Sequence, residues 1–168
     1  LVPFSPLTYQ ETAALLSPKV EPSQALTLAA VAEGSPGRAM LLDDMGLLEL
    51  RHSMIDTLTH LNQESPEAIG AVYDLAAQAA ALKENLGELL NLLATWLRDL
   101  TLLALQSKGQ LINHDLAELL EPGRLAWDHS GLLAALDHIN QARRQLLRNC
   151  NRALVCEVLF FALLREKC

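Results

Sequence analysis

β-Branched aliphatic residues are scarce: valine and isoleucine together occur only 10 times in 168 residues, against 39 leucines and 23 alanines. Strands draw on β-branched and aromatic side chains, helices on Leu and Ala, so the composition excludes a sheet protein. Aromatics are 4% of the chain, too few to build a stacking platform for bases or sugars. Positive charge is also short, with 13 Lys and Arg against 20 Asp and Glu and a net charge of −7. Such a surface repels phosphate backbones, and direct nucleic-acid binding is not expected. Long apolar runs are missing. A stretch such as Val158 to Leu164 falls far short of the roughly 20 residues that span a bilayer, and no basic stretch leading into an apolar run marks a signal peptide. No membrane partner is expected. The cysteines, Cys150, Cys156 and Cys168, are odd in number and lack metal-type spacing, which suits a reducing cytoplasm. Because the first residue is Leu1 rather than Met, the chain reads as an excised piece of a longer protein.

What remains is a chain that is 51% apolar, rich enough to bury a sizeable core and too apolar to be disordered. Six of its seven prolines lie at or before Pro66, so a punctuated N-terminal part precedes longer helices. Thr8-Tyr9-Gln10-Glu11 is a capping box that opens a first helix ended by Ser17-Pro18. Pro22 opens a second, running through Leu28 and Ala32 to Gly34, and Ser35-Pro36 opens a third through Leu42. Beyond Gly46 the apolar spacing lengthens. Leu47, Leu50, Met54, Ile55, Leu58 and Leu61 form one helix face, with His52, Asp56 and His60 opposite. Ser65-Pro66 predicts the start of a helix carrying Ile69, Val72, Tyr73 and Ala76. A break near Lys83-Glu84-Asn85 precedes a Leu-dense helix from Leu86 to Leu105, closed by Lys108-Gly109. Asp115 to Leu120 predicts a short helix stopped by Pro122-Gly123. Ser130 predicts the cap of a long helix, and Asn149 to Asn151 a turn into the last one. The expectation is an all-α chain: a small three-helix unit over residues 1–45, then a helical bundle of about five helices over 46–168, with a hinge between Asp43 and Gly46.

Several segments, in order, resemble the AAA+ clamp-loader family. Ala29-Ala30-Val31-Ala32-Glu33-Gly34-Ser35-Pro36-Gly37-Arg38-Ala39 resembles the end of that family's lid subdomain, and Phe4-Ser5-Pro6-Leu7 the stretch leading into it. Trp96-Leu97-Arg98-Asp99-Leu100, Leu111-Ile112-Asn113, Ala142-Arg143-Arg144 and Asn149-Cys150-Asn151-Arg152-Ala153-Leu154 followed by Glu157 resemble the C-terminal collar of the bacterial DNA polymerase III delta prime subunit. The resemblance implies an AAA+ lid (1–45) followed by a collar domain (46–168) in a bacterial cytoplasmic protein. It implies a non-catalytic scaffold whose partners are other clamp-loader subunits (delta, gamma/tau), reached through the collar, with the sliding clamp and DNA contacted only indirectly. ATP hydrolysis would belong to other subunits of the polymerase complex, and no cofactor is expected. Two alternatives stand beside this reading: a small-molecule-binding all-α regulatory domain, and the same region of another clamp-loader subunit.

Within the resemblance, Ser35, Gly37 and Arg38 are the nucleotide-proximal candidates. ATP-using relatives place an arginine where this chain has Gly37. Arg38, one residue later, is rotated by about 100° on a helix, which suits an ATP-inactive subunit; the bland reading is a cap and a tight turn. Arg144, Arg148 and Arg152, with Arg143, are candidates for a subunit interface, although basic groups near a helix C-terminus also simply complement its dipole. Phe160 and Phe161 are interface candidates too, one of the pair core and the other outward. Trp96 reads as packing, and Arg98 and Asp99, being adjacent, are expected to pair elsewhere. His52, Asp56 and His60 share one face, yet the histidines are about 12 Å apart along the axis, too far for one metal. The cysteines read as inert packing. No Walker A loop, Mg²⁺ motif, arginine finger or nucleophile elbow occurs, so no catalytic residue and no metal site are expected.

Overall fold

The computed structural model describes residues 7–168; the Phe4-Ser5-Pro6 part of the resemblance lies outside them. Among the described residues there are nine α-helices, two short 3-10 turns and no strand. The three N-terminal helices are α1 (Tyr9–Leu16), α2 (Pro22–Val31) and α3 (Pro36–Asp44). Thr8 closes the expected capping box with Glu11. The chain leaves α2 through two left-handed residues, Glu33 and Gly34, and Ser35 then caps α3 by accepting the Arg38 amide. Only Met45 and Gly46 separate α3 from α4 (Leu47–His60), and Gly46 turns the corner at φ 59°, a conformation that favours glycine.

Six α-helices follow Gly46, where about five were expected: α4, α5 (Ala68–Ala80), α6 (Leu86–Ala104), α7 (Ala117–Ala126), α8 (His129–Leu147) and α9 (Arg152–Arg165). The centre is α6, which packs against α4, α5, α7 and α8, while α9 lies across α5 and α8. That position explains its sequence, since Leu86, Leu89, Leu90, Leu92, Leu93, Trp96, Leu97 and Leu100 are all buried and form a stripe about 160° wide, broader than the roughly 100° of an ordinary surface helix. Trp96 meets Trp127 edge-on, with centroids 5.5 Å apart. The buried apolar residues form one cluster that includes Leu16, Leu28 and Leu42 as well as Leu47, Trp96 and Leu159, so the first three helices share a core with the rest.

Four boundaries differ from expectation, each for a local reason. The helix after Ser65-Pro66 starts only at Ala68, because the Ser65 hydroxyl takes the Glu67 amide in a turn before the helix. The Leu-dense helix ends at Ala104 rather than at Lys108-Gly109; the left-handed step falls at Gln106. Pro122 does not stop α7 but lies inside it. The one helical bond it forgoes, to the Glu118 carbonyl, is set against the packing of Leu119, Leu120 and Gly123 on the core. Gly123 is an approach glycine, since a Cβ there would come within 2.9 Å of the Trp96 ring. The cap of α8 is Asp128, whose carboxylate accepts the Gly131 amide, while Ser130 donates its hydroxyl to Asp128.

A buried polar clasp holds the 105–116 connection. Asp99 is fully buried. Its Oδ2 accepts the Ile112 amide, the Asn113 amide and the Asn113 side-chain Nδ2, each at 2.8 Å. Arg51, also fully buried, donates Nη1 to Asn113 Oδ1 at 3.0 Å and pairs through Nη2 with Asp115. Burial pushes the Arg51 guanidinium below its ordinary value while Asp115 holds it up. Arg98 and Asp99 do pair, Nη1 to Oδ1 at 2.9 Å, contrary to the expectation from their adjacency. The long Arg98 side chain curls back to reach the second Asp99 oxygen. At the chain end, Lys167 Nζ donates to the carbonyls of Leu58, Thr59 and Leu61 at 2.8, 3.0 and 2.5 Å. It thereby caps the C-terminal end of α4.

Candidate subunit interface

At the turn into α3, Ser35 is occupied as a cap and Gly37 is exposed with open space where a side chain would begin. Arg38 does not reach over the turn. Its Nε donates to Glu88 Oε2 on α6 at 2.8 Å, both side chains about a quarter exposed at 21% and 27%. The structure thus brings Arg38 to the start of α6 and commits its charge there.

The four arginines of the α8–α9 corner are not equivalent. Arg143 is half-buried, donating Nη2 to the Leu90 carbonyl at 3.0 Å, and its buried Nε–H has no acceptor among the described residues. Burial pushes its pKa down, with Glu88 opposing the shift and Arg38 adding to it. Arg144 is exposed and 3.9 Å from Asp137, and Arg152 is 3.4 Å from Glu84. Arg148 is exposed and has no ion pair among the described residues.

Phe160, expected with Phe161 at a surface between subunits, is a core residue with no exposed area. It has nothing to offer a neighbour. Phe161 is half-buried and meets Tyr73 edge-on at 5.5 Å. Around it lies an open groove of about 730 Å³ between α5 and α9, lined by Ile69, Tyr73, Leu154, Val158 and Phe161 among others. Ile69, Tyr73, Leu154 and Val158 are 61, 49, 60 and 56% exposed. The sequence pattern places Ile69 and Tyr73 on one helix and Leu154 and Val158 in another, but does not single out the surface they make together. The signal was available: from Ala153 to Leu164 every residue of α9 but Glu157 is apolar or Cys, and burying one face of such a helix leaves its other face apolar.

His52, Asp56 and His60 are exposed. His60 Nδ1 lies 3.1 Å from Asp56, and His52 lies 3.5 Å from Glu118 rather than near His60. No group of three metal-ligating side chains occurs among the described residues. All three cysteines are free thiols; Cys156 is buried and its pKa pushed up to about 11, while Cys150 and Cys168 are exposed. Exposure at those two positions departs from the packing role expected of the set. No helix among the described residues is long and apolar enough to cross a membrane.

Residues 46–164 match the protein family described as DNA polymerase III, delta subunit, C terminal. No curated protein matches the chain. With more than half its length inside that match, the chain belongs to the family formed by the C-terminal regions of DNA polymerase III delta subunits, and so to a component of a clamp loader.

Proposed function

We propose that this chain is the lid (1–45) and collar (46–168) of a delta prime subunit, a non-catalytic scaffold of the bacterial cytoplasmic clamp loader. Its collar packs against the collars of sibling subunits, delta and gamma/tau, so that the assembly can place the sliding clamp on primed DNA. The observation that carries this reading is the apolar strip of Ile69, Tyr73, Leu154, Val158 and Phe161 on a chain of net charge −7. Such a strip is stabilised when another protein removes it from water. The family match begins at residue 46, where α3 gives way to α4, which supports dividing lid from collar there. Gly37, standing where ATP-using relatives of the resemblance carry arginine, and the commitment of Arg38 to Glu88 support an ATP-inactive subunit over its ATP-hydrolysing siblings.

The test is to mix the chain with purified collar-containing clamp-loader subunits and follow mass by light scattering during gel filtration. A discrete heteromeric complex is expected. Val158→Asp, at a position 56% exposed, is expected to weaken it at least about tenfold with unchanged circular dichroism. A folded chain that stays alone at micromolar concentration, or a complex indifferent to Val158→Asp, counts against this role for the α5–α9 groove.

A further inference from the structure

We infer that the α8–α9 corner is a second docking surface, separate from the α5–α9 groove, for an acidic segment of a partner protein that carries one large aliphatic side chain. The chain has 20 acidic residues, yet between Asp137 and Glu157 it has four arginines and no carboxylate. Here the corner folds over a groove of about 500 Å³ bounded by α3, the start of α6, the end of α8 and the start of α9. The two carboxylates that line it are already paired, Glu88 with Arg38 and Glu84 with Arg152. Beyond these two ion pairs the groove is left with two further cations, Lys83 and Arg143, with Arg148 following the groove residue Leu147 at the end of α8. Arg143 brings a buried Nε–H with no acceptor.

Helix dipoles account for only part of this charge. Arg144 and Arg148 lie near the C-terminus of α8, where cations are favoured, but Arg152 is the first residue of α9, where a cation is unfavourable. The apolar half of the argument is Leu147, 84% exposed, more than any other large apolar side chain among the described residues. It stands in the groove rim with Leu41, itself 39% exposed, between Arg144 and Arg148 in sequence. A leucine pair ringed by cations complements a carboxylate-rich segment with an aliphatic anchor: the charges steer and orient it, and the anchor covers the leucines. A nucleic-acid strand fits less well, because no aromatic side chain lines the groove for base stacking and the chain as a whole is acidic.

The experiment uses fluorescence anisotropy of a labelled nonapeptide, four aspartates on each side of a central leucine, titrated with the chain. Saturable binding is expected. Arg148→Glu weakens it about tenfold and Leu147→Ser about threefold, and raising the salt from about 0.05 to 0.3 M weakens it further. Both substitutions are at exposed positions, and circular dichroism verifies that each variant folds. Leu147→Ser assembles normally with collar-containing subunits, and Val158→Asp, in the other groove, binds the peptide as the natural chain does, which separates failure of this inference from failure of the scaffold reading. Four outcomes overturn the proposal: no saturation by about 1 mM chain; equal binding of the peptide with serine at its centre, which reduces the effect to bulk charge; tighter binding of a nine-nucleotide oligothymidine sensitive to the same variants; and self-association of the chain abolished by Arg148→Glu, which assigns the surface to a second copy.

Discussion

Arg51 is the residue at which pattern and outcome diverge most instructively. It follows Leu47 by four and precedes Met54 and Ile55 by three and four, all fully buried, so helical spacing alone puts an arginine in the apolar stripe of α4. Reading Leu50 into that stripe instead obscured it, and no local signal names Asn113 or Asp115, more than 60 residues away, as its partners. Its guanidinium fixes the connection that Asp99 holds from the other side, so Arg51→Met is expected to remove more than one contact. Breaking a buried pair by deleting one partner costs about 3–5 kcal/mol. Asp115 keeps 26% of its side chain in water and can rehydrate, so the expected loss is about 2–3 kcal/mol. Urea unfolding measures it from the midpoint at constant slope; a loss under about 1 kcal/mol would mean that the clasp is held by Asp99 alone.

At the scale of the element, helix starts were legible wherever the cap was adjacent and polar. Thr8 and Ser35 cap as their sequences indicate, and Asn151, at the expected last turn, accepts the Leu154 amide. The errors came from competition. Two capping side chains precede Gly131, and the carboxylate takes the amide while Ser130 serves the carboxylate. Pro122 reads as a stop until its neighbours' burial is known. The α8 cap gives a pH dependence whose sign can be worked out. The Gly131 amide first, then the Ser130 hydroxyl, hold the Asp128 carboxyl below its ordinary value of 3.8. A carboxyl depressed in the folded state contributes stability that is present above pH 3.8 and lost as pH falls through the folded value. Asn caps helices nearly as well as Asp but does not titrate. The stability gap between the natural chain and Asp128→Asn should therefore shrink as pH is lowered from about 6 to 3. Chemical denaturation at each pH reads that gap, and one that stays constant would place the depressed titration elsewhere.

For the whole molecule, the all-α class was legible from composition, and the arrangement of helices around α6 was not. Periodicity shows how much of a helix is apolar, never which neighbour covers it; in α9 Val155, Leu159, Phe160 and Leu163 are buried while Leu154 and Val158 face water. The two-part division that the sequence punctuation suggests meets a core continuous across it. Leu42 and Leu47, on either side of the Met45-Gly46 corner, have no exposed area and belong to the same buried cluster. Arg38 bridges the parts from α3 to α6 at 2.8 Å. Three short helices alone bury too little surface to be stable, so α1–α3 should draw their stability from the bundle and unfold with it. Calorimetry is expected to show one transition whose van't Hoff and calorimetric enthalpies agree. Gly46→Ala, which puts a side chain at φ 59°, should lower the midpoint by several degrees, corresponding to about 1 kcal/mol, without splitting the transition. Arg38→Ala, at a partly exposed ion pair, should do the same with a smaller shift, since such pairs contribute about 0–1 kcal/mol. A separate low-temperature step that grows with Arg38→Ala would instead mean that the first three helices detach on their own and move as an arm on the six-helix bundle.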